Sequence, residues 1–297
     1  RVLSPFQGVV WAAFFNFISA FIFGVHVANT IGKGIVDPHV VDNTVIFSAL
    51  VGAITLTATA THNGLPISVS HAIIGGFAGA AVTKSGLSAL ILSGIFKVAI
   101  FIFLSPLIGF LLGLIVSIIT LWIVKNKPPK KVDKTFRKLQ LISAAAYSMG
   151  HGTNDAQKTM GIITVLLFSN GLLKEFYVPF WVVISCHIAI ALGTLTGGWK
   201  VIKTLGMRVT KLRPFHGFSA EFSAALTLFG ASSFGIPVST THTITGSIIG
   251  VGSIQNFSAV KWGVAKNIVL AWILTIPLSS LFASVTYLIV KFLGNGF

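Results

Sequence analysis

From Leu87 to Val124 the chain carries a single charged residue, Lys97. No soluble core keeps so long a run out of water, but a bilayer does. Its hydrocarbon takes about 20 residues of helix to cross. Ser105-Pro106 interrupts the run, and its length predicts one span plus a shorter helix, or two tightly joined spans. The rest of the chain agrees: of 297 residues, 54% are hydrophobic and only 9% charged, too few charges for a soluble domain. Barrel strands would alternate over about ten residues, which these continuous runs do not. The expected fold class is an all-α polytopic membrane protein. The single cysteine, Cys186, excludes an intramolecular disulfide and a multi-cysteine zinc site. A net charge of +15 would suit nucleic acid. However, many of the basic residues lie in two segments, Lys125 to Lys138 and Trp199 to His216, the pattern of cytoplasmic loops. No nucleic-acid partner is expected.

Further spans are predicted at Phe6 to His26, Thr44 to Thr61, Phe180 to Gly197, Phe218 to Phe234 and Val260 to Leu293, the last interrupted at Pro277. Two short small-residue helices, Ala72 to Val82 and Thr243 to Val251, follow Gly64-Leu-Pro-Ile-Ser-Val-Ser-His71 and Gly235-Ile-Pro-Val-Ser-Thr-Thr-His242. The first is too short to cross comfortably. It reads as a re-entrant element starting at Pro66, with its helix N-terminus pointing into the protein. Between apolar flanks lies the most polar run inside any such segment, Ser148-Met-Gly-His-Gly-Thr-Asn-Asp-Ala-Gln-Lys158. Gly150 and Gly152 predict a broken helix there, and buried ionisable groups at membrane depth predict a substrate or ion path.

The two hairpin sequences align at an offset of 171 residues, and so do Ile73 with Ile244, Gly75 with Gly246, Gly79 with Gly250 and Pro106 with Pro277. Upstream, Gly24, Val27, Thr30 and Gly32 fall on Gly198, Val201, Thr204 and Gly206 at an offset of 174. A colinear set with one indel predicts two homologous halves. The acidic Lys33 to Asp42 segment corresponds to the basic Lys200 to Arg213 segment. Opposite charge bias places them on opposite sides of the membrane, so inverted-topology repeats are expected. Each would carry a re-entrant helical hairpin and a broken helix. Residues 1–124 then form a first half lacking its first helix, 125–138 a basic cytoplasmic loop and 139–297 the second half, in one integrated membrane domain. The partner of Asp155 in the first half would lie ahead of Arg1. Another Asn-Asp segment is expected upstream, and without it the chain is not expected to transport.

The chemistry follows from helix ends. Ser68 and Ser70 from one hairpin, and Ser239, Thr240 and Thr241 from the other, offer hydroxyls beside free N–H groups that favour an anion. A tetrahedral oxyanion suits such converging donors. Asp155 cannot take an anion while ionised, but it can hold a coupling cation, H⁺ or Na⁺, and would be the metal ligand were that cation Na⁺. Asn154 can serve anion or cation. Lys158 can neutralise Asp155 or touch the anion.

Gly-Thr-Asn154-Asp155-Ala-Gln-Lys158 resembles the signature of the inorganic phosphate transporter (PiT) family, and the two hairpins resemble its paired re-entrant elements. Thr30 to Asp37 and Gly217-Phe-Ser-Ala-Glu221 also resemble family segments. The Gln157-Lys158 ending is similar to the bacterial low-affinity type; the animal Na⁺-coupled members tend to have Asn at that place. The resemblance implies a secondary active transporter coupling phosphate uptake to a cation by alternating access. Asp155 would be at the cation site, and Asn154, Ser68, Ser70, Ser239, Thr240 and Thr241 at the phosphate. It implies no cofactor beyond the coupling ion. Its partners would be phosphate, free or as a metal–phosphate complex, the lipid bilayer and a second copy in a homodimer. The place it implies is a bacterial inner membrane. Sulfate or another tetrahedral oxyanion is the alternative substrate, and an anion channel the alternative class. No nucleophile–base pair or metal cluster points to an enzyme. His71 and His242 read as backbone-bonding or proton-relay groups, Glu221 as a packing residue or a second ion site, and His151 as a site wall or a cap. His187 and Cys186 read as helix-interface residues.

Overall fold

A computed structural model describes residues 2–254 and 256–294. Helix α1 (Pro5–Ile18) starts with a capping box in which Ser4 and Gln7 bond each other's backbone N–H. After a short 3₁₀ turn the chain bends by 81° into α2 (His26–Gly34). Helix α3 (Asn43–Asn63) is capped by Asp42 and closed by Gly64 in the left-handed conformation. Helices α4 (Val69–Ser85), α5 (Leu92–Val124), α6 (Pro129–Ser169) and α7 (Phe180–Thr196) follow. A 67° bend at Gly197 and Gly198, both at positive φ, leads into α8 (Trp199–Lys203) and a π turn. Helices α9 (Pro214–Ser233), α10 (Thr240–Ser253) and α11 (Trp262–Gly294) complete the described chain. Among the described residues three helices, α3, α5 and α11, are long and apolar enough to cross a bilayer, or up to five spans if each bent pair counts as one. Helix α4, with 17 residues, and α10, with 14, are short for a crossing.

Several expectations need correction. The run from Leu87 is not two spans: a 3₁₀ turn precedes one 33-residue helix that continues through Pro106. Proline lacks the N–H that would bond the carbonyl of Ile102, four residues back. His242 approaches that carbonyl instead, its ring Nδ1 at 3.3 Å. Nor does the polar motif break α6, which runs 41 residues without interruption. Its glycines are there for close approach. A Cβ on Gly152 would meet the Asn16 carbonyl at 2.6 Å, and one on Gly161 would meet the Ala28 carbonyl at 2.6 Å. The breaks lie instead between α1 and α2 and between α7 and α8. The segment 125–138 is helical from Pro129 on, as the first turns of α6, and only its start is a loop. The first hairpin helix begins after Ser68, not at Pro66.

Helix α4 packs on α3 and α11, and α10 packs on α9 and α5. Each short helix therefore lies against a 33-residue helix from the other end of the chain. At the first interface, hydroxyls of Ser279, Ser280 and Ser284 donate to the carbonyls of Ala72, Gly75 and Gly79. At the second, Gly109 and Gly113 let the backbones touch. Two hydrogen bonds match across the aligned segments: Thr30 Oγ1 donates to the Gly235 carbonyl at 2.8 Å, and Thr204 Oγ1 to the Gly64 carbonyl at 2.9 Å. The faces of α5 and α11 away from these contacts expose Phe103, Leu107, Leu111, Ile115, Leu281 and Leu288, as a lipid-facing surface does.

Candidate substrate and ion site

The site forms where the N-terminal turns of α4 and α10 meet the middle of α6. Ser68 and Ser239 occupy equivalent N-cap positions, and each accepts from a histidine N–H, that of His71 or His242, at 3.2 Å. Both hydroxyl oxygens are thus engaged in starting the helices, and both residues are buried. The cap uses an oxygen lone pair and leaves each O–H as a donor, but neither residue lines the cavity described below. The next residues face the motif. Ser70 Oγ donates to Asp155 Oδ1 at 3.3 Å, and Thr240 Oγ1 donates to Asp155 Oδ2 at 2.8 Å. One hydroxyl from each hairpin therefore holds one oxygen of the same carboxylate.

Lys158, one turn along α6, is buried at 1% exposure. Its ammonium donates to Asp155 Oδ1 at 2.6 Å, to the Val238 carbonyl at 2.6 Å and to Ser70 Oγ. An ammonium has three hydrogens, and all three are in use. Lys158 is ion-paired with Asp155, and its hydrogens are all directed at protein oxygens.

The other carboxylate oxygen, Oδ2, lies 3.2 Å from His151 Nε2. The orientation of this ring follows from its far side. Thr194 Oγ1 donates to the Ile190 carbonyl at 2.7 Å and accepts from Asn16 Nδ2 at 3.0 Å, so Asn16 presents its carbonyl oxygen to His151 Nδ1 at 3.1 Å. Sequence reasoning missed Asn16 and the Val238 carbonyl. Asn16 was findable as a carboxamide in the middle of an apolar helix; a backbone carbonyl leaves no trace in residue identity.

The motif's two carboxamides do not join Asp155. Asn154 points to α9, where Nδ2 donates to Ser232 Oγ at 3.1 Å and Oδ1 is buried without a protein partner. Adjacent residues on a helix lie about 100° apart, which separates Asn154 from Asp155. Gln157 holds the start of α2: its Oε1 accepts from Val27 N–H at 2.8 Å and Ala28 N–H at 3.3 Å, while Nε2 donates to the Gly24 carbonyl at 2.7 Å. This is how the 81° bend is fixed. Glu221 accepts from Ser143 at 2.6 Å between α9 and α6, away from the cavity. His71 and His242 meet edge to face at 4.8 Å, and His242 stacks on Trp272 at 3.9 Å.

A cavity of about 1170 Å³ opens in front of this cluster and reaches His151, Asp155, Lys158, Ser70 and Thr241. Thr241 is partly exposed there. The N–H groups of Val69, Ser70, Thr240 and Thr241 have no acceptor within their helices, since they belong to first turns. Among the described residues no group of three or more His, Cys, Asp or Glu side chains could hold a metal.

Residues 1–283 match the phosphate transporter family. A "probable low-affinity inorganic phosphate transporter" of Rhizobium meliloti is 56% identical over 97% of this chain and 86% of its own length. The protein of the same name in Bacillus subtilis is 42% identical over 98% of this chain and 88% of its own. A solved structure titled "The sodium-dependent phosphate transporter" superposes with a TM-score of 0.86 at 26% identity, covering 98% of this chain and 91% of that one. With the apolar helices, these likenesses make the chain a multi-pass integral membrane protein and a transporter, not an enzyme; it belongs to the phosphate transporter family.

Proposed function

We propose that the chain is the membrane core of a secondary transporter that takes up inorganic phosphate together with a cation. The observation that carries this is the convergence of two helix N-termini from distant parts of the sequence on one carboxylate–ammonium pair, the ammonium buried and the carboxylate partly exposed, at the wall of a cavity. The free N–H groups of the two first turns and the Thr241 hydroxyl are the anion donors, and Ser70 and Thr240 orient the carboxylate. The donor set is narrower than the one expected from sequence, because Ser68 and Ser239 do not line the cavity and Asn154 lies against α9. The coupling ion is H⁺ or Na⁺. The matched bonds of Thr30 and Thr204, and the exchange of α4 and α10 between the two ends of the chain, support two inverted halves and alternating access. The phosphate carriers named among its relatives support the substrate, and bacterial relatives support a plasma-membrane location. A metal–phosphate complex as the transported species and a homodimer belong to the same proposal.

The test is uptake of labelled phosphate into vesicles holding the full-length protein, with Na⁺ and pH gradients imposed separately. Accumulation driven by one gradient is expected. No accumulation under either gradient overturns the carrier reading, and single-channel currents would replace it with a channel. Competition by excess sulfate as strong as by phosphate would move the substrate to the alternative oxyanion.

A further inference from the structure

We propose that the Lys158 ammonium is a resident cation, filling an oxygen-lined cage that would bind Na⁺ if the side chain were removed. The proposal deepens the transport reading at the same site, but its first test does not depend on phosphate.

The cage is built by three elements. Asp155 Oδ1 comes from α6, Ser70 Oγ from the first turn of α4, and the Val238 carbonyl from the residue before the α10 cap. A carboxylate, a hydroxyl and a backbone carbonyl are the ligand types that hard cations take. Here they surround the ammonium of a side chain that is 1% exposed. The oxygens are not there by accident of Lys158 reaching out. Ser70 Oγ is also 3.3 Å from Asp155 Oδ1, and Thr240 fixes the other carboxylate oxygen. The carboxylate is therefore held by both hairpins as well as by the lysine. Removing the ammonium leaves an ionised carboxylate, a carbonyl and a hydroxyl facing one buried space. A buried unpaired charge of that kind recruits a counter-ion or destabilises the protein.

The consequence for transport is specific. A diffusible cation that binds and leaves at this position would tie the meeting of the two hairpins to its own concentration. A tethered ammonium makes that meeting permanent, so Na⁺ is dispensable at Asp155 in this chain. Any ion coupling must then act elsewhere in the protein.

The experiment compares thermal unfolding of purified full-length wild type, Lys158→Ala and Lys158→Met in NaCl and in choline chloride. Alanine opens the cage; methionine fills it without charge. Lys158→Ala is expected to show a Tm that rises with Na⁺, by roughly 5–10 °C when Na⁺ is a hundredfold above its Kd. Wild type and Lys158→Met are expected to show no difference between the two salts. An alanine variant indifferent to Na⁺, or a wild type that responds as strongly, overturns the proposal. If Lys158→Ala does not survive purification, Lys158→Asn takes its place under the same criteria. In the uptake assay, Lys158→Ala is expected to gain a Na⁺ dependence beyond any that wild type shows. Absence of uptake by wild type itself would reject the phosphate reading and leave the Na⁺-dependent Tm to decide the cage.

Discussion

Asp155 and Lys158 have to be read as one unit. Either charge alone, buried here, is expensive, and the pair is stable because every polar hydrogen and most lone pairs have partners. Asp155→Asn removes the anion and leaves the ammonium among two oxygens and an amide. The variant is expected to lose roughly 3–5 kcal/mol of stability, the range for breaking a buried ion pair by one partner. Adding Lys158→Met to Asp155→Asn is expected to restore most of that loss but not phosphate uptake. Thermal unfolding of the two single variants and the double one, with uptake measured on the same samples, separates the two effects. Equal losses in Asp155→Asn and in the double variant would show that the ammonium is not stranded. The sequence made Asp155 and Lys158 visible because charges are rare in apolar runs. It also showed that Ser70 and Thr240 sit at helix starts. It did not show which hydroxyls meet Asp155: Ser68 and Ser70 differ only in register relative to the first helical residue, and that register sets which of them reaches the carboxylate.

Helix breaks were harder to place than helices. Glycine is ambiguous in sequence, because the same missing side chain serves flexibility and contact. Gly197 and Gly198 do bend the chain, whereas Gly152 packs a continuous helix against α1. Gly152→Ala would bring a methyl to 2.6 Å from the Asn16 carbonyl and 2.7 Å from Ser19 Oγ. Both neighbours are anchored in α1 and its 3₁₀ turn, so a loss of about 1–3 kcal/mol is expected, readable as a lower Tm. Proline was ambiguous in a related way, since Pro106 looks like an interruption until the partner of the freed carbonyl is known. His242→Phe should remove that partner and cost about 1–3 kcal/mol. In a Pro106→Ala background the cost should shrink, because the introduced alanine supplies a backbone N–H to the Ile102 carbonyl. An equal cost in both backgrounds would mean that His242 acts through its stacking on Trp272 instead. At the other end of the scale of burial, Asp42 caps α3 and bonds Lys84 at 2.6 Å. Partial burial pushes its carboxyl up, but the Lys84 ammonium and the Val45 N–H outweigh this and hold it below its ordinary value. A depressed carboxyl stabilises the fold above its unfolded value, near 3.9, and that contribution is lost as pH falls through the lower folded value. The Tm difference between wild type and Asp42→Asn, which keeps a capping side chain, should therefore persist at about pH 6 and vanish on acidification. A difference that grows toward low pH would reverse the sign.

At the scale of the whole molecule the proposed repeat was the most legible feature, because colinear identities need no knowledge of packing. What the identities could not show is that the two halves exchange contacts. Helix α4 lies on α11, α10 lies on α5, and the threonines of one half hold the hairpin turn of the other. The reason is physical: a short helix at membrane depth cannot bury its own polar end, so each hairpin is completed by the opposite half. Thr30 and Thr204 isolate this exchange, since each hydroxyl donates to a glycine carbonyl where a helix ends and the hairpin begins, Gly235 for one and Gly64 for the other. Both glycines are at positive φ, 62° for Gly235 and 72° for Gly64. Neither turn can move far without giving up the bond. Thr30→Val and Thr204→Val should each cost about 1 kcal/mol, the net value of one hydrogen bond. If the two latches stand independently, the double variant should lose the sum within about 0.5 kcal/mol. If instead the halves move as linked bodies, releasing one latch changes what the other holds, and the double variant should depart from the sum by more than that. In that case uptake should also fall further in the double variant than the two single variants predict. Additive stability together with additive uptake would leave two separate structural bonds and remove these threonines from any account of how the halves move.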